Sequence, residues 1–245
     1  MTLDVLQDKF RSLWARLGAQ SGAAGEFDVL QRCYGNPSRR YHTLDHIASG
    51  LDVMAEAGAA IVEPDLVEFA FWYHDIVYDT TAKAPANEQM SANVASAVAY
   101  RAGFGAVTIR RVADLILLTT HQTPTTDPAA CALLDVDLSS LGATAEEYEA
   151  NEQNIREEYR WVPEQKFWSA RTAILKSIFS RPWVYYTDWF RNRFEESARR
   201  NILGSIRRGD DEEKVAIQKQ RKTTGRIRDL PDFDFGQAFG GGKKP

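Results

Sequence analysis

Residues 65–77 read DLVEFAFWYHDIV. Hydrophobic side chains fill almost every position, and a helix that is apolar all round belongs inside a fold. The stretch is too short to cross a bilayer, which takes about 20 residues. It therefore predicts a central, buried helix around which others must pack. It also carries His74 and Asp75 near its end. Burying a charged carboxylate alone is expensive, so Asp75 has to meet a cation or several donors.

Helical spacing recurs on both sides of this stretch. Leu3, Leu6, Phe10, Leu13, Trp14 and Leu17 mark one face of segment 2–17, and Phe27, Leu30 and Tyr34 mark a second helix closed by Gly35, Asn36 and Pro37. Leu44, Ile47, Leu51 and Met54 predict a helix over 43–57. Residues 87–101 are rich in Ala and Ser and suit close packing, and 109–120 form a further apolar segment. Thr144 followed by Glu147 is a capping-box signature at the head of a long, exposed helix. Helices are also expected over 167–179 and 183–203. No alternating run suggests a strand, so the expected fold is an all-α single domain of about eight to ten helices.

The chain has 245 residues, 44% hydrophobic and 26% charged, which can bury a substantial core. Two cysteines, Cys33 and Cys131, exclude a disulfide-dense scaffold and a four-cysteine zinc site. No apolar run is long enough to span a membrane, and Asp4 and Asp8 stand where a signal peptide would be basic and apolar. A cytoplasmic protein with no membrane partner is expected.

Charge is unevenly spread. The formal net charge is −4, yet residues 199–228 hold ten Lys/Arg against four Asp/Glu. Composition places the domain at 1–208 and a charged, flexible tail at 209–245. The basic stretch 199–228 is a candidate nucleic-acid contact. Trp183, Tyr185 and Tyr186 are candidate homodimer contacts.

His42 and His46 are four residues apart, so on a helix both rings project from one face. Surface pairs of this kind are common. Asp135 and Asp137 sit in a second apolar run, LLDVDLSSLG, where a carboxylate also caps helices. His121 ends an apolar helix, where it would complement the dipole. Each group has a structural reading and a metal-binding one.

The order His42, then His74-Asp75, then a distant Asp on an all-helical chain resembles the HD-domain superfamily of metal-dependent phosphohydrolases. It is most similar to a bacterial subgroup of predicted phosphohydrolases. The blocks that carry the resemblance are Tyr41 to His46, FWYHDIVYD over 71–79, Asn87 to Ala92, Thr119 to His121, Asp135 to Gly142, Ile155 to Tyr159 and Ala198 to Asn201. They occur in order and leave out the tail.

The resemblance implies an HD-type helical bundle and a divalent ion (Mn, Fe, Co, Ni, Zn or Mg) held by His42, His74, Asp75 and Asp137. Asp135 would cap or orient. His42 is favoured over His46, which stands where many relatives carry an aliphatic residue. That leaves His46 for substrate contact, or for a second ion with His121. Two imidazoles and two carboxylates suit such an ion, which would activate water for attack on a small phosphate ester, a phosphomonoester or nucleotide. Asp75 and Glu88 are the candidate catalytic residues, with Glu88 moving the proton. Arg39 and Arg40 are candidate phosphate clamps, and His121 and Arg156 candidate substrate contacts. The other reading is a non-catalytic module that senses a nucleotide or binds nucleic acid.

Overall fold

The computed structural model describes residues 1–19 and 22–224, with side chains as far as residue 211. Among the described residues there are ten α-helices and no strand. They are α1 (Leu3–Arg16), α2 (Ala23–Tyr34), α3 (Leu44–Ala57), α4 (Pro64–Tyr73) and α5 (Ala86–Arg101), then α6 (Ala106–Leu118), α7 (Pro128–Asp137), α8 (Ala145–Glu158), α9 (Glu164–Phe179) and α10 (Asp188–Thr224). Short 3-10 turns follow α3 and α7. The all-α architecture has the number of helices the periodicity predicts. No described helix is long and apolar enough to cross a membrane.

Helix α4 is the centre. Val67, Phe69, Ala70, Phe71, Trp72 and Tyr73 are fully buried, and α1, α3, α5, α6 and α7 pack around them. Phe10 and Phe27 meet the Trp72 ring edge-on, with centroids 5.3 and 6.1 Å away. That geometry sets the positive ring edge against the negative ring face.

The sequence predicts a helix to residue 77, but α4 stops at Tyr73. Its end is drawn off by side chains that claim its carbonyls. Tyr34 donates to the Trp72 carbonyl (2.9 Å), and His74 Nδ1 donates to that of Phe71 (2.7 Å). Arg39 donates to the carbonyls of Asp75 (2.7 Å) and Ile76 (2.9 Å). The acceptors a helix end leaves open are thus satisfied by side chains, and the chain can turn away at His74.

Three other expectations change. Both halves of the Thr144/Glu147 capping box form, but α8 is not exposed all round: Tyr148, Glu152, Ile155 and Glu158 are buried on one side. Helix α10 begins at Asp188 and not near 183, because residues 184–187 donate their amides to Asp135 and Glu195. Tyr185, expected at a surface, is therefore core at 1% exposure, while Trp183 stays exposed.

The boundary at 208/209 falls inside α10, which continues to Thr224. Gly209 packs on α9 so closely that a Cβ there would lie 1.9 Å from Thr172 Oγ1. Asp210 accepts from Lys176 Nζ at 2.7 Å. Composition shifts at this point, while the contact of α10 with α9 extends to Asp210. Residues 225–245 of the expected tail lie outside the described residues, as do the side chains from 212 onward.

Candidate metal centre

Three helix ends converge on one point. His46 comes from the first turn of α3, His74 and Asp75 follow α4, and Asp137 ends α7. Gly50 permits the approach of α3 to α4, since a Cβ there would lie 2.2 Å from the Phe71 ring. His46 Nε2 lies 3.4 Å from both His74 Nε2 and Asp137 Oδ1. His74 Nε2 lies 3.0 Å from Asp75 Oδ2 and 3.3 Å from Asp137 Oδ1. His42 Nε2 is 3.9 Å from Asp75 Oδ2, and His121 Nε2 is 2.8 Å from Asp137 Oδ2.

The partners of the other ring nitrogens define the chemistry. A backbone carbonyl only accepts, so His74 Nδ1 is the donor to Phe71. In the neutral ring that leaves the Nε2 lone pair facing two carboxylate oxygens. His42 repeats the pattern, with Nδ1 2.5 Å from Glu158 Oε1. Glu158 also accepts the amides of Arg40 (2.7 Å), Tyr41 (2.9 Å) and His42 (3.2 Å). Burial alone would raise its carboxyl, but the His42 ring and these amides hold it down at about 2.

Acceptors therefore face acceptors at the centre, and a cation has to stand between them. Without another cation that role falls to a proton. Burial opposes a charged His74, but Asp75 and Asp137 overcome it and raise the ring well above its ordinary value. Burial likewise opposes ionised Asp75, and His74 and His42 hold it at about 2. Asp137 lies well below its usual range for the same reason, with His74 the main counter-charge. A divalent ion would suit the same arrangement. The donors are nitrogens and carboxylate oxygens, and the ligand atoms of His46, His74 and Asp75 all lie within 4.8 Å of one another. The outer Nδ1–H bonds of His42 and His74 orient lone pairs inward, as partners of metal-binding histidines do.

The candidate residues divide cleanly. The structure brings together His42, His74, Asp75, Asp137 and His121, and it adds His46 to the innermost group. His46 is 8% exposed and does not line the cavity, so the structure sets it among the cluster's donor atoms and away from the cavity wall where a substrate contact was expected. Asp135 points the other way and accepts from the amides of Tyr186 (2.7 Å) and Thr187 (2.8 Å) and from the Thr187 hydroxyl (2.8 Å).

The three candidate arginines are engaged away from the cavity. Arg39 is buried and spends its donors on the carbonyls of His42, Asp75 and Ile76, with its guanidinium 5.0 Å from the Tyr34 ring centroid. Arg40 is exposed and donates to the Arg39 carbonyl. Arg156 closes α8 by donating to the carbonyls of Tyr159 and Val162. None of the three lines the cavity.

That cavity, about 300 Å³, opens beside the cluster. His42, His74, Asp75, Glu88, His121 and Asp137 form one end, and it continues between α8 and α9 past Tyr148, Glu152 and Arg171. Three buried polar atoms without a partner belong to its wall residues: Glu88 Oε2, His121 Nδ1 and Arg181 Nη1. His121 has a φ of 55°, a conformation L side chains seldom adopt. Such strain is typically held in place at functional sites. Glu158 and Arg181 escape the reading from sequence. The available signal for Glu158 is an acid at the last residue of α8, where the helix dipole disfavours it.

No family model, curated protein or solved structure matches the chain.

Proposed function

We propose that the chain is a metal-dependent phosphohydrolase of the HD type, acting on a small phosphate ester such as a phosphomonoester or nucleotide. The observation that carries this reading is His74 Nε2 set against two largely buried carboxylates at one end of a cavity of about 300 Å³. His42, His46, His74, Asp75 and Asp137 would hold the ion. Bound there, a divalent ion supplies an activated water and neutralises charge on the phosphoryl group.

The chain's own residues do the rest. Glu158 fixes the tautomer of His42, and His121 orients Asp137 through its second oxygen. Glu88 is the proton carrier. Burial raises its carboxyl above the usual range, and Asp75 and Asp137 push the same way. A carboxyl raised in this way retains a proton closer to neutral pH and can deliver it to the departing alcohol oxygen as the P–O bond breaks.

The test is metal analysis of the full chain purified without chelator, paired with hydrolysis of p-nitrophenyl phosphate and a nucleotide panel under Mn, Co, Ni and Mg. Activity should disappear on chelation and return with metal, and His74→Ala should lower it by roughly 100-fold or more. A folded chain inert with every metal overturns the reading. In the described part of 199–228, Arg199, Arg200 and Arg208 are paired with Glu195, Glu196 and Glu149, while Arg207 is exposed, so beyond those pairs the nucleic-acid reading has one exposed arginine there to rest on.

A further inference from the structure

We infer that Arg181 is the residue that binds the phosphate in this cavity, a role sequence assigns to Arg39 and Arg40. The inference rests on the phosphohydrolase reading for the identity of the anion, and on three observations for the residue. First, the cluster end of the cavity is rich in carboxylates: Asp75, Glu88 and Asp137 all reach its wall. An anionic ligand entering there needs a fixed positive charge besides the cluster's own cation.

Second, two arginines line the cavity, and only one of them is free to supply that charge. Arg171 is neutralised by Glu152, which accepts from its Nε at 3.1 Å and from its Nη2. Arg181 forms no ion pair among the described residues. Its Nη2 donates to the His121 carbonyl at 3.2 Å, and its Nη1 is buried with no acceptor. A buried donor left without a partner costs about 1–3 kcal/mol, more when charged, so the arrangement favours an anion that accepts from it.

Third, Arg181 is tied to the cluster by a single residue. His121 accepts from Arg181 through its backbone oxygen and meets Asp137 Oδ2 through Nε2. An anion that contacts the guanidinium therefore lies beside the carboxylate and histidine group. A guanidinium presents parallel N–H donors at the spacing of phosphate oxygens, which a lysine ammonium does not.

Calorimetric titration of inorganic phosphate into the full chain, with and without Mn²⁺, tests this. Wild type should bind phosphate, Arg181→Gln should weaken it by about 10- to 100-fold, and Arg181→Lys should fall between. Mn²⁺ affinity should stay within about twofold in both, because Arg181 touches no proposed ligand side chain. Arg200→Gln, which removes one exposed charge elsewhere, should leave phosphate affinity unchanged. Melting curves establish that each variant folds, and Arg181→Lys decides the matter if Arg181→Gln does not fold. Phosphate binding that is equal in wild type and the folded Arg181 variants, or absent in wild type under both conditions, overturns the inference. Phosphate bound equally with and without Mn²⁺ but lost in Arg181→Gln supports the inference while removing the metal reading.

Discussion

Asp135 and Asp137 leave the same helix in different directions and end in surroundings that differ in kind. Two residues on a helix are about 200° apart around its axis, so one side chain must turn to α10 as the other turns to α3 and α4. At the α10 corner the buried acids are met by protons. Asp135 takes three donors from Tyr186 and Thr187. Glu195 takes the amides of Val184 and Tyr185 and the guanidinium of Arg199. The result is a pinned loop over 182–187. At the histidine cluster Asp75 and Asp137 meet imidazole nitrogens instead, which can hold either a proton or a metal ion against them. A buried acid is therefore poor evidence of a ligand by itself, and the direction of its neighbours' hydrogens decides.

The largest effect expected from this contrast is on metal binding. Asp137→Asn should lower Mn²⁺ affinity by more than about 100-fold, since loss of a mere orienting partner costs about 10- to 100-fold. The metal-free variant should also lose about 1–3 kcal/mol, because His46, His74 and His121 lose the carboxylate they face. Calorimetric titration and urea unfolding read both. A variant that binds metal normally yet unfolds easily would erase the distinction between the two acids.

Asp135→Ala should lose stability alone. Burial raises this carboxyl to about 6 in spite of its donors, which offsets part of what the hydrogen bonds contribute. The net loss should be about 2 kcal/mol, seen as a melting point about 4–8 °C lower, with Mn²⁺ affinity little changed. Lost metal affinity without lost stability would reverse the roles assigned to the two residues.

The smallest effect concerns the third aspartate of α7, which is partly exposed. Asp127 caps the helix by accepting from Ala129 and Ala130 and pairs with Arg111. Arg111 leads in lowering its carboxyl to about 2, with the two amides helping. The folded value lies below the unfolded one of about 4, so the pair's stabilisation is present above pH 4 and is lost as pH falls through 2. With solvent screening it amounts to under about 1 kcal/mol. Asp127→Asn retains a capping acceptor, so its urea midpoint should trail wild type at pH 6, by about half as much at pH 3, and converge with it as pH falls below 2. A gap that is constant with pH would mean that the charge contributes nothing.

Helix positions, the burial of Val67 and of 69–73, and the Thr144 cap are legible in the chain because they depend on neighbours three and four residues away. So is the burial of His74, which belongs to the same apolar run. The end of α4 at Tyr73 is not legible, because Tyr34 and Arg39 arrive from elsewhere to take its carbonyls. The same limit explains His46. Its spacing from His42 shows a shared face, but only the packing of Gly50 on Phe71 shows how deep that face goes.

The order of residues is enough for an all-helical chain with a buried core helix and acids that must find partners. Which partner each acid found came from the packing of the helices. It turned Asp135 to amides and Asp137 to imidazoles, committed Arg39 to carbonyls and left Arg181 with an unused donor. The physical reason is range. Helix formation is set within a few residues, whereas the donors and acceptors around a side chain come from whichever elements the core packs against it.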